Sequence, residues 1–274
     1  MRFDQEMPRG TVVPSIWDVL SGGAAVAAGA RQLFLSGGAL AASYGYPDIG
    51  LLDIDDLTGC VRRVKSVFPE IPLLVDVETG YGSGDRLARL VCELLESGAE
   101  ALMIEDQVAT GQSVNPNDPG LCEPSTMWDR IRRIRGVAGT DIQILARTDR
   151  VPGVSFDQSV QRLVSYEEAG ANWVLPVFLE SRDELEVLSR EFVDRLFVIT
   201  VAGRGGYVPT VADIEMAGCR AVLVTSQNRN AFETLKTVYV DTMRRDWPKV
   251  RESQASGAEI HSLLRFDRFK GKLS

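Results

Sequence analysis

Short apolar runs recur along the chain, and several end at a charge: Pro72 to Val75 before Asp76, Ala101 to Ile104 before Glu105, and Ile142 to Ala146 before Arg147. These runs do not alternate as half-exposed strands do. They read as strands buried on both faces, and helical patterns of about a dozen residues separate them, as in repeated βα units. Strands beginning at residues 11, 32, 72, 101, 142, 173, 196 and 221 make eight, which favours a (β/α)8 barrel over an open doubly wound sheet. Trp17 to Ala28 reads as an alanine-rich helix. Ser125 or Thr126 can cap a helix running through Gly136, Ser155 one from Phe156 to Ala169, and Ser181 one through Arg190. Gly29, Gly98, Gly170 and Gly218 fall between a helix and the next strand, where a left-handed terminus is wanted.

Composition narrows this to one large domain. The 274 residues are 45% hydrophobic and 25% charged, and no Pro/Gly/Ser-rich break marks a linker. Formal net charge is -8, and the basic residues are scattered, so neither a nucleic-acid nor an anionic-membrane surface is expected. No apolar run approaches the ~18 residues that span a bilayer, and the N-terminus lacks a secretory pattern. A cytoplasmic location is the expectation. Cys60, Cys92, Cys122 and Cys219 form no CxxC pair and read as structural thiols.

The chemistry gathers where strands end. Asp76 and Glu78 lie two residues apart, a spacing that puts both on one strand face, and Glu105 closes the next strand. Asp48, in Gly45-Tyr46-Pro47-Asp48, adds a fourth acid. Carboxylates without nearby His or Cys suit a hard, oxygen-seeking cation: Mg2+ first, with Mn2+ as an alternative.

These segments, with Ser36-Gly37-Gly38, Thr79-Gly80-Tyr81-Gly82, Glu105-Asp106-Gln107 and Arg147-Thr148-Asp149, resemble the isocitrate lyase/phosphoenolpyruvate mutase superfamily over roughly residues 10 to 245. The resemblance implies a (β/α)8 barrel over residues 1–245. A C-terminal helical tail, residues 246–274, would then pack on a neighbouring subunit of a homotetramer or homodimer. It implies C–C or P–C chemistry beside a 2-oxo acid through a metal-stabilised enolate. It makes Asp76 the direct Mg2+ ligand, with Asp48, Glu78 and Glu105 acting through water. Ser36, Gly37 and Gly38 would bind the substrate's carboxylate and carbonyl, and Arg147 would anchor the oxo-acid end. Phe34 stands in the place of a substrate-side aromatic, or equally of barrel core.

Departures from the pattern shape the functional expectation. The lyase loop with its cysteine acid/base is replaced by Val108-Ala109-Thr110-Gly111-Gln112-Ser113-Val114-Asn115, and the only histidine, His261, lies in the tail. Tyr46, Tyr81, Ser113 or a metal-bound water are the candidate proton donors. Val177 and Val201 replace polar residues around the substrate, so an apolar or small substituent is favoured. Residues Gln107 to Pro124 are expected to form a lid. The expected function is a Mg2+-dependent C–C lyase of a carboxylic or 2-oxo acid, with Arg147, Ser36 and Tyr46 in catalytic roles. The alternatives are P–C chemistry on phosphonopyruvate, with Arg204, Asn228 and Arg229 near the phosphoryl group, ketopantoate-type carbon transfer, and a non-catalytic ligand-binding barrel.

Overall fold

A computed structural model describes residues 3, 7–108, 120–200, 207–252 and 254–265. Eight parallel strands form its centre: β1 (Thr11–Ile16), β2 (Leu33–Leu35), β3 (Leu73–Asp76), β4 (Ala101–Glu105), β5 (Gln143–Asp149), β6 (Trp173–Val177), β7 (Phe197–Ile199) and β8 (Ala221–Val224). Their order around the sheet is β6-β5-β4-β3-β2-β1-β8-β7. Between β6 and β7 the ring is closed, among the described residues, by one parallel bridge, Val174 to Leu196. This is the expected (β/α)8 barrel.

Every residue of β2, β3 and β6 is buried, as continuous apolar runs require when helices cover one face and the barrel interior the other. Inward residues follow period two. Val13, Phe34, Leu74, Met103, Leu145, Leu175 and Leu223 fill the middle, while Phe3, Trp173 and Phe197 stack together in the same inner core. A larger apolar layer lies between the strands and the outer helices.

The helices are α1 (Val19–Ala27), α2 (Gly37–Ser43), α3 (Ile54–Val67), α4 (Asp85–Ser97), α5 (Pro124–Ala138), α6 (Phe156–Glu168), α7 (Arg182–Glu191), α8 (Val211–Ala217), α9 (Gln227–Met243), α10 (Trp247–Glu252) and α11 (Gly257–Leu263). Ser155 and Ser181 cap α6 and α7 as expected. Helix α5 differs: it starts at Pro124, with Glu123 in the cap position and no side-chain cap. Proline's fixed φ starts this helix before Ser125 and Thr126 are reached. The four inter-element glycines all have positive φ. Among the described residues no helix is long and apolar enough to cross a membrane.

The C-terminal region departs from ordinary barrel packing. Helix α9 follows β8 but has no buried residue, and Phe232, Tyr239 and Met243 are 63%, 62% and 78% exposed. Helix α11 returns to α1, where Leu263 occupies the space a Cβ on Gly23 would need. Arg265 reaches Glu70 and lies 5.8 Å from the Phe68 ring.

Candidate active site

At the C-terminal mouth of the barrel, two adjoining cavities of about 330 and 400 Å3 share Asp48, Asp76 and Arg147. One is acidic. The other is lined on its far side by apolar residues from β6 and β7.

The acidic half is built around two glycines. Ser36 ends the β2 turn and caps α2, its hydroxyl accepting from Ala39 N at 3.3 Å, so Gly37 and Gly38 form the first turn of a helix and not an open loop. Gly37 N donates to Asp76 Oδ2 at 3.2 Å, and Glu78 N donates to Asp76 Oδ1 at 3.0 Å. A Cβ on Gly37 would crowd Glu78 Oε1 and Asp76 Oδ2 at 3.3 and 3.4 Å, and one on Gly38 would collide with the Asp48 carboxylate. Three carboxylates therefore press against a backbone that only glycine allows.

Asp76 and Glu78 do converge, though not by strand alternation. β3 ends at Asp76, and Glu78 takes a left-handed φ of 49°, a strained conformation for a residue with a Cβ. Glu78 Oε1 is buried without a hydrogen-bond partner among the described residues. Burial, then the charges of Asp76 and Asp48, push the Glu78 carboxyl up to about 8. Burial also raises Asp76, against the opposing pull of Arg147. Arg86 and Arg147 are the cations that line the same cavity.

The opposite wall is a fork centred on Arg147. Its Nε and Nη2 donate to Asp149 Oδ1 and Oδ2, both at 2.7 Å, and Nη1 lies 2.9 Å from Glu105 Oε2. Gln107 Nε2 donates to Asp149 Oδ2 at 2.6 Å. Burial works against the Arg147 charge, yet Asp149 and Glu105 hold it firmly protonated. Burial lifts Glu105 to about 8, with Arg147 opposing the rise. Sequence reasoning gave Asp149 no role, although its spacing of two from Arg147 on one strand was the available signal.

Most expected site residues meet here. Phe34, Ser36, Gly38, Tyr46, Asp48, Asp76 and Arg147 line the second cavity, with Gly37 behind them on Asp76. Phe34 is both barrel core and cavity wall. Tyr46 is 43% exposed at the rim. Val177, Ile199, Met103 and Phe178 supply the apolar wall, and Asn228 and Arg229 stand at the β8 side. Tyr81 lines the acidic cavity, its hydroxyl buried without a partner among the described residues and held protonated by burial and the neighbouring acids. His261 lies on exposed α11. Cys60 and Cys219 are buried, their thiols pushed up to about 11 by burial. Thr110, Gln112, Ser113, Asn115, Val201, Arg204 and most of the expected lid lie outside the described residues. Among the described residues, no three His, Cys, Asp or Glu side chains are arranged to hold a metal by direct contact alone.

The sequence profile of the phosphoenolpyruvate phosphomutase family matches residues 5–242. The chain belongs to this family. Within its wider superfamily, 2-methylisocitrate lyase of Escherichia coli (strain K12) is 34% identical over 207 residues, which cover 74% of this chain and 65% of the relative. The chain thus spans just under two thirds of that curated relative's length. The solved structure of 2,3-dimethylmalate lyase superposes with a TM-score of 0.83 at 24% identity, over 96% of this chain and 89% of that one. Phosphonopyruvate hydrolase in complex with oxalate and Mg2+ gives 0.81 at 23% identity, over 98% and 97%. At these identities the structures establish the fold, and the phosphoenolpyruvate phosphomutase family profile supplies the membership.

Proposed function

We propose that the protein is a Mg2+-dependent lyase that cleaves or forms a C–C bond adjacent to a 2-oxo acid through an enolate. The observation that carries this reading is the gathering at one mouth of four carboxylates, Asp48, Asp76, Glu78 and Glu105, beside the buried guanidinium of Arg147. The donor set fits a hard divalent ion. It consists of oxygens only, it includes the unpartnered Glu78 Oε1, and the Gly37–Gly38 turn leaves the acids room. Asp76 would hold the ion, with Asp48, Glu78 and Glu105 around it through water. Mn2+ satisfies the same donors. Bound there, the ion supplies positive charge for an enolate oxygen.

The chain's own residues do the rest. Arg147 pairs with the substrate carboxylate, the α2 N-terminus at Ser36, Gly37 and Gly38 receives its oxygens, and Tyr46 stands at the rim within reach of an entering acid. Phe34, Met103, Val177 and Ile199 favour an apolar substituent on the distal carbon. Similar relatives act on substrates of this kind by name: 2-methylisocitrate and 2,3-dimethylmalate. Asn228 and Arg229 in the same cavity support a second reading, P–C chemistry on phosphonopyruvate.

The exposed apolar face of α9 supports a homodimer or homotetramer, in which residues 246–274 would exchange onto a neighbour the contact that α11 makes here with α1 of its own chain. It has a counterpart in the open groove along Val12, Pro14, Trp17 and Ala24. A cytoplasmic location accompanies this reading.

Proton exchange followed by NMR in D2O tests the function, using Mg2+ with pyruvate, oxaloacetate or phosphonopyruvate. Metal-dependent loss of methyl or methylene signal, or a new product, that disappears with EDTA and in Asp76→Ala is expected. Silence with every acid despite measurable Mg2+ binding would leave a non-catalytic ligand-binding barrel as the better description.

A further inference from the structure

Behind the mouth, on the outer side of the sheet, lies a buried carboxylate that the proposed chemistry does not use. Asp106 is fully buried. Its Oδ2 accepts from Thr148 Oγ1 at 2.7 Å, Tyr166 OH at 2.7 Å and Arg162 Nη1 at 3.2 Å, while Oδ1 has no partner among the described residues. Tyr166 and Arg162 belong to α6, so one carboxylate ties β4, β5 and α6 together.

The contacts around Asp106 have a regular order. Three consecutive residues leaving β4 each meet one of three consecutive residues ending β5. Glu105 pairs with Arg147 inside the mouth, Asp106 with Thr148 outside it, and Gln107 with Asp149 inside again. Period-two alternation makes the middle rung an outer strut for the inner two. Backbone bonds reinforce it: Asp106 N donates to Arg147 O at 3.2 Å and Cys122 N donates to Asp106 O at 2.8 Å. Arg162 Nη1 also donates to Cys122 O at 2.9 Å. A slip of Asp106 would therefore move both Glu105 and Gln107, and with them two of the three groups that set the Arg147–Asp149 fork.

We propose that Asp106 is a positioning residue. Through Thr148, Tyr166 and Arg162 it holds the ends of β4 and β5 in the register that aims the Arg147 guanidinium into the mouth. Placing Arg147 against substrate rests on the function proposed above; the aiming itself does not.

A buried hydrogen bond of this kind is costly to lose because the remaining partner stays dehydrated. Tyr166→Phe removes one hydroxyl that never touches the mouth and keeps the buried ring. Asp106→Asn and Thr148→Val attack the same strut at its other ends and serve should one variant fail to fold. Thr58→Val is the control, since Thr58 is equally buried but bonds to Ile54 O and Glu93 away from the mouth.

The readout is hydrogen exchange of the Arg147 Nε–H in 15N-arginine-labelled protein without substrate or metal, the signal being assigned by its loss in Arg147→Lys. Exchange roughly tenfold faster in Tyr166→Phe or Asp106→Asn is expected, about what one charge-assisted hydrogen bond protects, with Thr58→Val like wild type. Unchanged exchange in every folded strut variant, or equal acceleration in Thr58→Val, overturns the proposal. A parallel titration of the wild type with oxalate and Mg2+ separates the two ideas: no binding there counts against the proposed function and leaves the exchange result standing.

Discussion

Replacing Asp149 by asparagine tests how the Arg147 fork is held, because the exchange is nearly isosteric and its electrostatic cost can be worked through bond by bond. Asp149 is almost fully buried and accepts three bonds, two from Arg147 at 2.7 Å and one from Gln107 at 2.6 Å. Asparagine has one acceptor oxygen and one donor group. Placed at Oδ1, its oxygen keeps Arg147 Nε and turns an NH2 against the donors of Arg147 Nη2 and Gln107; placed at Oδ2, it gives up Nε. The better orientation still loses one bond to a charged partner, about 1.5–3 kcal/mol. At about 2–4 °C per kcal/mol for a chain of this size, Tm should fall by roughly 3–12 °C. Arg147→Lys trades the fork for one ammonium and loses about two such bonds, roughly 3–6 kcal/mol. Because both substitutions remove the same contacts, the double variant should be less damaged than the sum by about 1–3 kcal/mol. Calorimetry with urea titration on the metal-free protein measures all four corners. A Tm for Asp149→Asn within about 1 °C of wild type, or singles that add to the double within about 0.5 kcal/mol, would refute this account of the fork.

Further predictions concern the acidic corner and the surface. Burial raises the folded-state pKa values of Glu78 and Glu105 from the ordinary 4.5 to about 8, so the folded form binds more protons and metal-free stability should fall as pH rises between those values. Thermal melts from pH 4.5 to 8 check the sign, and a Tm that climbs through this window contradicts it. Added Mg2+ should flatten the fall by compensating the ionised acids. Gly38→Ala drives a methyl into the Asp48 carboxylate and should weaken Mg2+ binding by about 10- to 100-fold, the range seen when groups around a metal are disturbed; calorimetric titration reads it, and unchanged affinity would remove Asp48 from the ion's surroundings. Tyr239→Glu with Met243→Glu on the open face of α9 should yield a smaller species in light scattering at unchanged helix content, and an unaltered mass would place subunit contacts elsewhere.

Much of this architecture was legible in the residue pattern, because parallel strands buried on both faces leave continuous apolar runs and because polar residues cluster where those runs stop. All eight strands lie within a residue or so of where the runs begin. The acids and Arg147 were legible for the same reason: charge at the end of a buried strand has few other places to face. What escaped depended on three-dimensional partners. Asp149 looked like one more polar residue, yet it is the acceptor that holds Arg147. Asp106 faces away from the mouth, and only α6, sixty residues later in sequence, shows what it binds. Ser36 to Gly38, expected only as a substrate-binding segment, form a helix start, with the Ser36 hydroxyl as its cap. The Asp76–Glu78 convergence was foreseen for the wrong reason: a left-handed residue after the strand brings it about, and no sequence period encodes that.

The single bridge between β6 and β7 gives the barrel a seam. Its neighbours share several register pairs each, whereas this joint has one among the described residues, and Pro176 on β6 has no N–H with which to add another. Val177 and Ile199, the two apolar residues that face the distal end of the cavity, stand on opposite sides of that seam. The width of the proposed substrate cavity is therefore set where the cylinder is least laced together. Acceptance of a larger or smaller substituent becomes a matter of how far two strand ends part as much as of which side chains they carry.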